Sequence, residues 1–403
     1  MQLNLKDQMT NSSIKCLLFV LVTSCFLVGN AQDAPSLNIV TTAVPFLRIS
    51  PDARAGGMGD VGIATTPDVN SSFWNLAKTP FAKSRAACGF TYTPWLKDLG
   101  LNDVYLASGS YYYQLDELNV ISVSGRYFSL GNIQFTDYSG NNLNAFTPKE
   151  YGLDVGYARK LGEKLGLGVT LRYINSSLAN GATNGVVYKS GTSIAGDVSI
   201  FKNAPSENGE GVSWGLNFSN LGSKIGYTND ALNKDYIPAN MGFGIAYTSV
   251  PDESNRITFA ADINKLLVPT PPTSTQDPTV DSTSLADYRS KSVVNSWFSS
   301  FKNGSLSNNF KLLQISAGLE YTYAEQFSLR AGYFYEDVTQ GNRKYFTFGA
   351  GLKYNVIGIN ISYLVPSGNG ITKNPLSNTL RFGLTFDLDG GGVATEPSAL
   401  PEN

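Results

Sequence analysis

The sequence contains no histidine. Histidine is the commonest general base and the commonest metal ligand, so its absence excludes a Ser/His hydrolase and any histidine-based metal site. Charge is scarce as well. Asp, Glu, Lys and Arg make up 15% of the 403 residues, against about 25% in an ordinary globular domain. The formal net charge is −2 and Lys and Arg are scattered rather than clustered. That argues against nucleic acid as a partner, which needs a basic face to neutralise phosphates. Cysteine is nearly missing. Cys16 and Cys25 fall within the first 31 residues and Cys88 stands alone beyond them, so no internal disulfide is possible once that leader is removed. Cys88 lies in an apolar, strand-like run and reads as a small packed hydrophobe. After residue 31 no run of 18 apolar residues occurs, which speaks against helical membrane spans.

What is abundant points elsewhere. There are 22 Tyr, 22 Phe and 40 Gly, a composition suited to a barrel that shows aromatics to lipid and needs tight turns. Residues 1–31 read as a secretory signal peptide. Lys6 and Lys15 supply positive charge, Cys16 to Val28 form the apolar stretch, and Gly29-Asn30-Ala31 places small residues at a cleavage site. A lipoprotein-type cleavage at Val22-Thr23-Ser24-Cys25 is the weaker alternative, because the apolar run before it is too short.

A two-residue alternation recurs along the rest of the chain. In Leu380-Arg381-Phe382-Gly383-Leu384-Thr385-Phe386-Asp387-Leu388 every second residue is apolar. Only a strand sends alternate residues to opposite faces. Similar runs, such as Leu167-Gly168-Val169-Thr170-Leu171-Arg172-Tyr173, often end in Tyr, where an interfacial aromatic girdle would lie. A soluble sheet with one buried face would not repeat Gly on its polar side or end so many strands in Tyr. The pattern predicts fourteen strands at 87–92, 103–112, 118–128, 151–160, 165–176, 192–202, 211–221, 239–249, 255–264, 312–323, 327–336, 343–353, 357–364 and 379–388. The links between them alternate. Long ones such as 129–150, 222–238 and 265–311 take turns with short ones such as 113–117, 161–164 and 324–326. Bacterial outer-membrane barrels sort their loops this way, long outside and short in the periplasm. The expected architecture is therefore all-β, a 14-stranded antiparallel transmembrane β-barrel over 87–388, with residues 389–403 as a periplasmic tail.

Two regions break the pattern. Residues 32–86 hold Pro51-Asp52-Ala53-Arg54-Ala55-Gly56-Gly57-Met58-Gly59-Asp60 and Ser72-Phe73-Trp74-Asn75-Leu76-Ala77. The Gly cluster permits a tight backbone path, and Ser72 reads as a helix cap. Met58, Phe73 and Trp74 argue for a compact plug rather than a disordered leader. In 265–311, Pro269, Pro271, Pro272 and Pro278 make regular structure unlikely in the first half. Trp297, Phe298 and Phe301 then form an apolar cluster that either binds a partner or folds over the barrel mouth.

Site chemistry is absent, and no catalytic residue, cofactor or metal is expected. Gly56-Gly57-Met58-Gly59 lacks the Lys-Ser/Thr of a phosphate loop. Asp116-Glu117 and Asp252-Glu253 sit in expected turns. Asp235, Asp262 and Asp337 could meet Ca²⁺, but their spacing fits no loop motif.

The run Arg54-Ala55-Gly56-Gly57-Met58-Gly59-Asp60 with Ser72-Phe73-Trp74-Asn75-Leu76-Ala77 resembles the plug of the fatty-acid-transporter-like (FadL) barrel family. Leu76 stands where that family's Asn-Pro-Ala element has Pro. Thr42 to Asp60, and Thr93-Pro94-Trp95-Leu96, are similar to the PorV (LptO) branch found in Bacteroidetes, and the similarity extends over nearly the whole mature chain. The resemblance implies a fourteen-stranded outer-membrane barrel whose plug motif here is Arg54, Gly56, Gly57, Gly59, Trp74 and Asn75. It implies a non-catalytic shuttle of the type IX secretion system, with a lipid bilayer around it. The expected partners are a SprA/Sov-like translocon barrel, the C-terminal signal domains of cargo, and a PorU-like sortase complex. The alternative is a FadL-like channel for fatty acids or other hydrophobic small molecules.

Overall fold

The computed structural model describes residues 41–97, 100–136, 142–179, 181–183, 186–203, 205–206, 209–230, 234–272, 275, 277–302, 306–337, 341–367 and 379–388. The expected signal peptide and the expected tail lie outside the described residues.

All fourteen expected strands form. They are β1 (Ala86–Pro94), β2 (Val104–Gln114), β3 (Asn119–Leu130), β4 (Lys149–Lys160), β5 (Leu165–Ser177), β6 (Gly191–Lys202), β7 (Gly211–Gly222), β8 (Asn240–Ser249), β9 (Asn255–Leu266), β10 (Leu313–Tyr323), β11 (Phe327–Glu336), β12 (Lys344–Tyr354), β13 (Ile357–Pro366) and β14 (Leu380–Asp387). Each pairs antiparallel with its chain neighbours, and β1 pairs with β14, Phe90 opposite Leu384, to close the barrel. Closure leaves no unpaired sheet edge, which a membrane would penalise. No helix among the described residues is long and apolar enough to cross a membrane.

The alternation decides the two faces. On β4, Leu153, Val155 and Tyr157 are exposed outward while Asp154 between them is buried in the lumen. Phe90, Ile194, Phe243 and Phe348 belong to the same outward apolar surface. Lipid takes the place of a hydrophobic core on that side, and the polar residues gather inside.

At one end of the barrel the links are short. Asp116 and Asp252 organise two of these turns alike. The Asp116 carboxylate accepts from the Leu118 and Asn119 amides, and the Asp252 carboxylate from the Ser254 and Asn255 amides. These are turn-building acids. At the other end the long links carry small hairpins, such as Ile133–Thr136 with Asn142–Phe146.

The longest link, between β9 and β10, holds three helices: α1 (Pro278–Ser290), α2 (Val293–Ser299) and α3 (Leu306–Lys311). Regular structure thus starts earlier than the proline content suggested. Pro278 opens α1 instead of breaking it, because a helix's first residue needs no amide donor. Asp277 caps that end, its carboxylate accepting from Thr279 N at 2.9 Å and Val280 N at 3.3 Å.

Candidate functional site in the barrel lumen

Residues 41–86 thread the inside of the barrel. They enter at the long-loop end, where Ala43 N donates to Tyr236 O, and Val44, Phe46 and Leu47 pack among Trp95, Val104, Phe128, Ile174 and Ile237. They leave at the short-turn end, where Val69 and Leu76 pack with Ala87, Tyr112, Val120 and Ala158.

The two sequence motifs of this lumenal segment meet through Asp52. One carboxylate oxygen of Asp52 accepts from Ala55 N at 2.8 Å and starts the helical turn Ala53–Gly56. The other accepts from Trp74 Nε1 at 2.5 Å. Asn75 Nδ2 donates to Ile63 O at 3.1 Å and Ile200 O at 3.0 Å, while its Oδ1 accepts from Ala77 N at 3.1 Å. Asn75, rather than Ser72, is the residue that caps a helix here. Ser72 lies buried inside the turn Ser71–Trp74.

Arg54 fixes the segment to the wall. Its Nε and Nη2 grip Glu320 of β10 at 2.9 and 2.7 Å, and its Nη1 reaches Asp68 at 2.8 Å. Arg330 of β11 binds the same Glu320 at 2.6 Å. One carboxylate thus serves two guanidiniums, the geometry for which arginine's planar fork is suited. Glycine lets the backbones come this close. Gly59 has φ +71°, and a Cβ on it would lie 2.7 Å from the backbone of Tyr333. Its amide donates to Thr347 Oγ1 at 2.7 Å. A Cβ on Gly57 would lie 3.1 Å from the Cα of Gly349, and Gly56 lies against the Arg381 side chain. All six expected motif residues therefore gather in the lumen.

Their wall-side partners were missed by the sequence reading. Asp262 of β9 accepts from Gly62 N at 2.8 Å and Ile63 N at 3.0 Å. Tyr345 OH donates to Asp60 at 2.6 Å, Arg48 pairs with Glu336 at 3.2 Å, and Arg126 donates to Leu47 O at 2.7 Å. Arg172 joins Asp154 at 2.6 Å and Asp197 at 3.0 Å across β4, β5 and β6. The signal available was a charged residue at an inward position of an alternating strand, such as Glu320 or Arg330. Burial acts on the segment's own charges too. Lys78 and Asp52 are each only 1% exposed. Lys78 Nζ donates to Gly62 O at 2.6 Å.

Cavities remain on both sides of the segment. One, of about 370 Å³ towards the short turns, is lined by Arg54, Lys83, Arg256, Glu320, Glu325 and Arg330 among others. The second, of about 110 Å³ towards the long loops, is lined by Arg48, Asp60, Trp74, Arg126, Asn217 and Tyr345 among others. No residue lines both, but a void of about 10 Å³ shares Arg54 and Asp68 with the first and Trp74 with the second.

The remaining candidates sit elsewhere. Trp297 is half-buried while Phe298 and Phe301 are exposed on and just after α2. Asp235 pairs with Arg289 at 2.9 Å, far in role from lumenal Asp262. Among the described residues no three acidic or cysteine side chains form a metal-binding group.

No curated protein matches the chain. Among solved structures, a deletion mutant of the TodX monoaromatic hydrocarbon channel is similar at 12% identity and TM-score 0.48, covering 83% of this chain and 96% of the other. A Pseudomonas aeruginosa FadL homologue is similar at 11% identity and TM-score 0.45, covering 87% and 99%. The family model for the type IX secretion system protein PorV matches residues 31–273. A closed fourteen-stranded barrel with this match belongs to the PorV family, and so to the type IX secretion machinery of the outer membrane.

Proposed function

We propose that the chain is an adaptor of that machinery. It receives a secreted protein by its C-terminal signal domain beside a SprA/Sov-like translocon barrel and passes it to a PorU-like sortase complex. It catalyses no reaction itself. The observation that carries this reading is the divided lumen. The segment of residues 41–86 runs through the lumen and is tied to the wall by Arg54–Glu320 and Arg48–Glu336, and the void that touches the linings of both flanking cavities, at Arg54, Asp68 and Trp74, holds only about 10 Å³. A barrel blocked in this way offers partners its outer loops, not a passage. The docking surface is then the long-loop end, with the links 131–148, 223–239 and 267–312. The Trp297, Phe298 and Phe301 group borders this surface.

Uptake of a hydrophobic solute fits less well. The lining of the larger cavity includes Arg54, Lys83, Arg256, Arg330, Glu320 and Glu325 beside apolar groups such as Val69, Phe81 and Leu352, and an apolar guest against those charges would strip water from them without replacing it.

The test is affinity purification of the tagged protein from outer membranes in mild detergent. Recovery of a very large barrel with proteins sharing a β-rich C-terminal domain supports the adaptor, and deletion of 269–301 should reduce that recovery. A barrel that purifies alone with a bound fatty acid sinks it in favour of transport.

A further inference from the structure

The wall fixes where the loop between β9 and β10 returns. On β9, Asp262 holds the lumenal segment and Asn264 lines the upper cavity, so even-numbered positions face inward. Phe259 and Ile263, 54% and 43% exposed, face lipid. Lys265 is next in that outward row. Its register partners Met241 and Leu313 extend the outward rows of Phe243 and Ile315. Lys265 is nevertheless only 4% exposed. Its cover is the end of α2: Nζ donates to Ser300 O at 2.8 Å and lies 4.8 Å from the centre of the Phe301 ring. The end of α2 therefore lies on the barrel's flank, on the lipid side of the rim.

The chemistry of α2 suits that place. Ser296 and Ser300, one turn apart, are fully buried. Val294 and Phe298, also one turn apart, are 55% and 67% exposed, and Phe301 is 45% exposed. No charged residue occurs between Lys291 and Lys302. The segment turns Ser296 and Ser300 to the protein and Val294, Phe298 and Phe301 away from it, with Trp297 half-buried between the two sides. Water is a poor neighbour for such a face. The boundary of a bilayer is a good one, because rings reach towards the acyl chains while flanking lysines extend to the headgroups. Lipid-facing Ile263 and Ile315 lie two residues from Lys265 and Leu313, about 7 Å along a strand, so the apolar face of α2 continues the membrane belt.

We propose that residues 292–301 are an in-plane membrane anchor, with outer-leaflet lipid covering Val294, Phe298 and Phe301. The anchor fixes the height at which the long loop stands above the membrane. It rests on the register of β9 and not on the adaptor reading.

The test uses the full chain in phosphatidylcholine vesicles with Cys88→Ser and a nitroxide label on Phe298→Cys. Collision of the label with oxygen, which partitions into lipid, is compared with collision with a water-soluble nickel chelate. Phe243→Cys on the lipid-facing wall and Leu285→Cys on α1 are the references, and Val294→Cys repeats the measurement should Phe298→Cys not fold. The expected oxygen-to-nickel ratio at 298 matches that at 243 and exceeds that at 285 several-fold. A ratio equal to that at 285 overturns the proposal. So does a label shielded from both reagents in native outer membranes, which would assign the face to a protein partner.

Discussion

The lumenal segment and the loop between β9 and β10 both interrupt the strand pattern, but opposite means hold them. The segment buries charge: Arg54 shares Glu320 with Arg330, and Asp262 caps the backbone of Gly62 and Ile63. The loop exposes apolar surface, with Val294, Phe298 and Phe301 outward. Buried ionic pairs are costly to break once formed, whereas exposed apolar groups cost little to change in the folded protein. The difference separates a part of the molecule that must stay from a part that meets its surroundings.

The sharpest way to break the comparison is Glu320→Ala. It leaves the Arg54 and Arg330 guanidiniums facing each other without their shared carboxylate, a loss of about 3–5 kcal/mol. The midpoint of thermal unfolding, followed by the shift between folded and unfolded bands on a gel, should fall markedly. Phe298→Ser in the loop should change stability by about 0.5 kcal/mol or less and leave that midpoint nearly where it was. Equal effects would mean that the segment is no more firmly held than the loop.

Gly59→Ala comes next. The backbone at φ +71° and the nearby Tyr333 backbone both resist a Cβ, for a cost of about 1–3 kcal/mol. The strain is relieved by moving the segment off the wall. The expected signature is a higher ion conductance of the reconstituted barrel than that of the unaltered protein.

The two regions also differ in how far the sequence revealed them. The strands were legible because lipid on one side and polar partners on the other leave a period of two, as at Leu153-Asp154-Val155. The motif residues of the segment were legible as a group, since Gly59 and Trp74 make little sense outside a tight, buried path. Their partners were not. Nothing local ties Glu320 to Arg54 across 266 residues, and only its inward parity marks it as unusual. In the loop, Pro278 misled because its effect depends on position: inside a helix it breaks, at the first residue it starts. The placement of Phe301 on the flank depends on the outward parity of Lys265, which needs the register of β9 with β8 and β10.

Lys265→Met tests that placement with a smaller effect. It removes the donor to Ser300 O and the cation beneath Phe301, about 1 kcal/mol in a rim position. The barrel should keep its unfolding midpoint, while protease added outside intact vesicles should cut near 291–302 faster than in the parent. Unchanged cutting would mean that the contact does not hold the loop.

The smallest expected effect bears most directly on function. A Cβ on Gly57 would lie 3.1 Å from Gly349 Cα, and the two Cβ atoms of a disulfide stand about 3.5–4.5 Å apart. Gly57→Cys with Gly349→Cys, in the Cys88→Ser background, can therefore tether the segment to β12 with a modest backbone shift. If the segment is a fixed plug and cargo meets only the outer loops, the oxidised and reduced forms should support equal secretion and equal recovery of partners. If the segment has to swing aside, oxidation should stop secretion and reduction should restore it. Because both forms share one sequence, a folding defect would depress the two alike, and only a difference between them counts against a closed lumen.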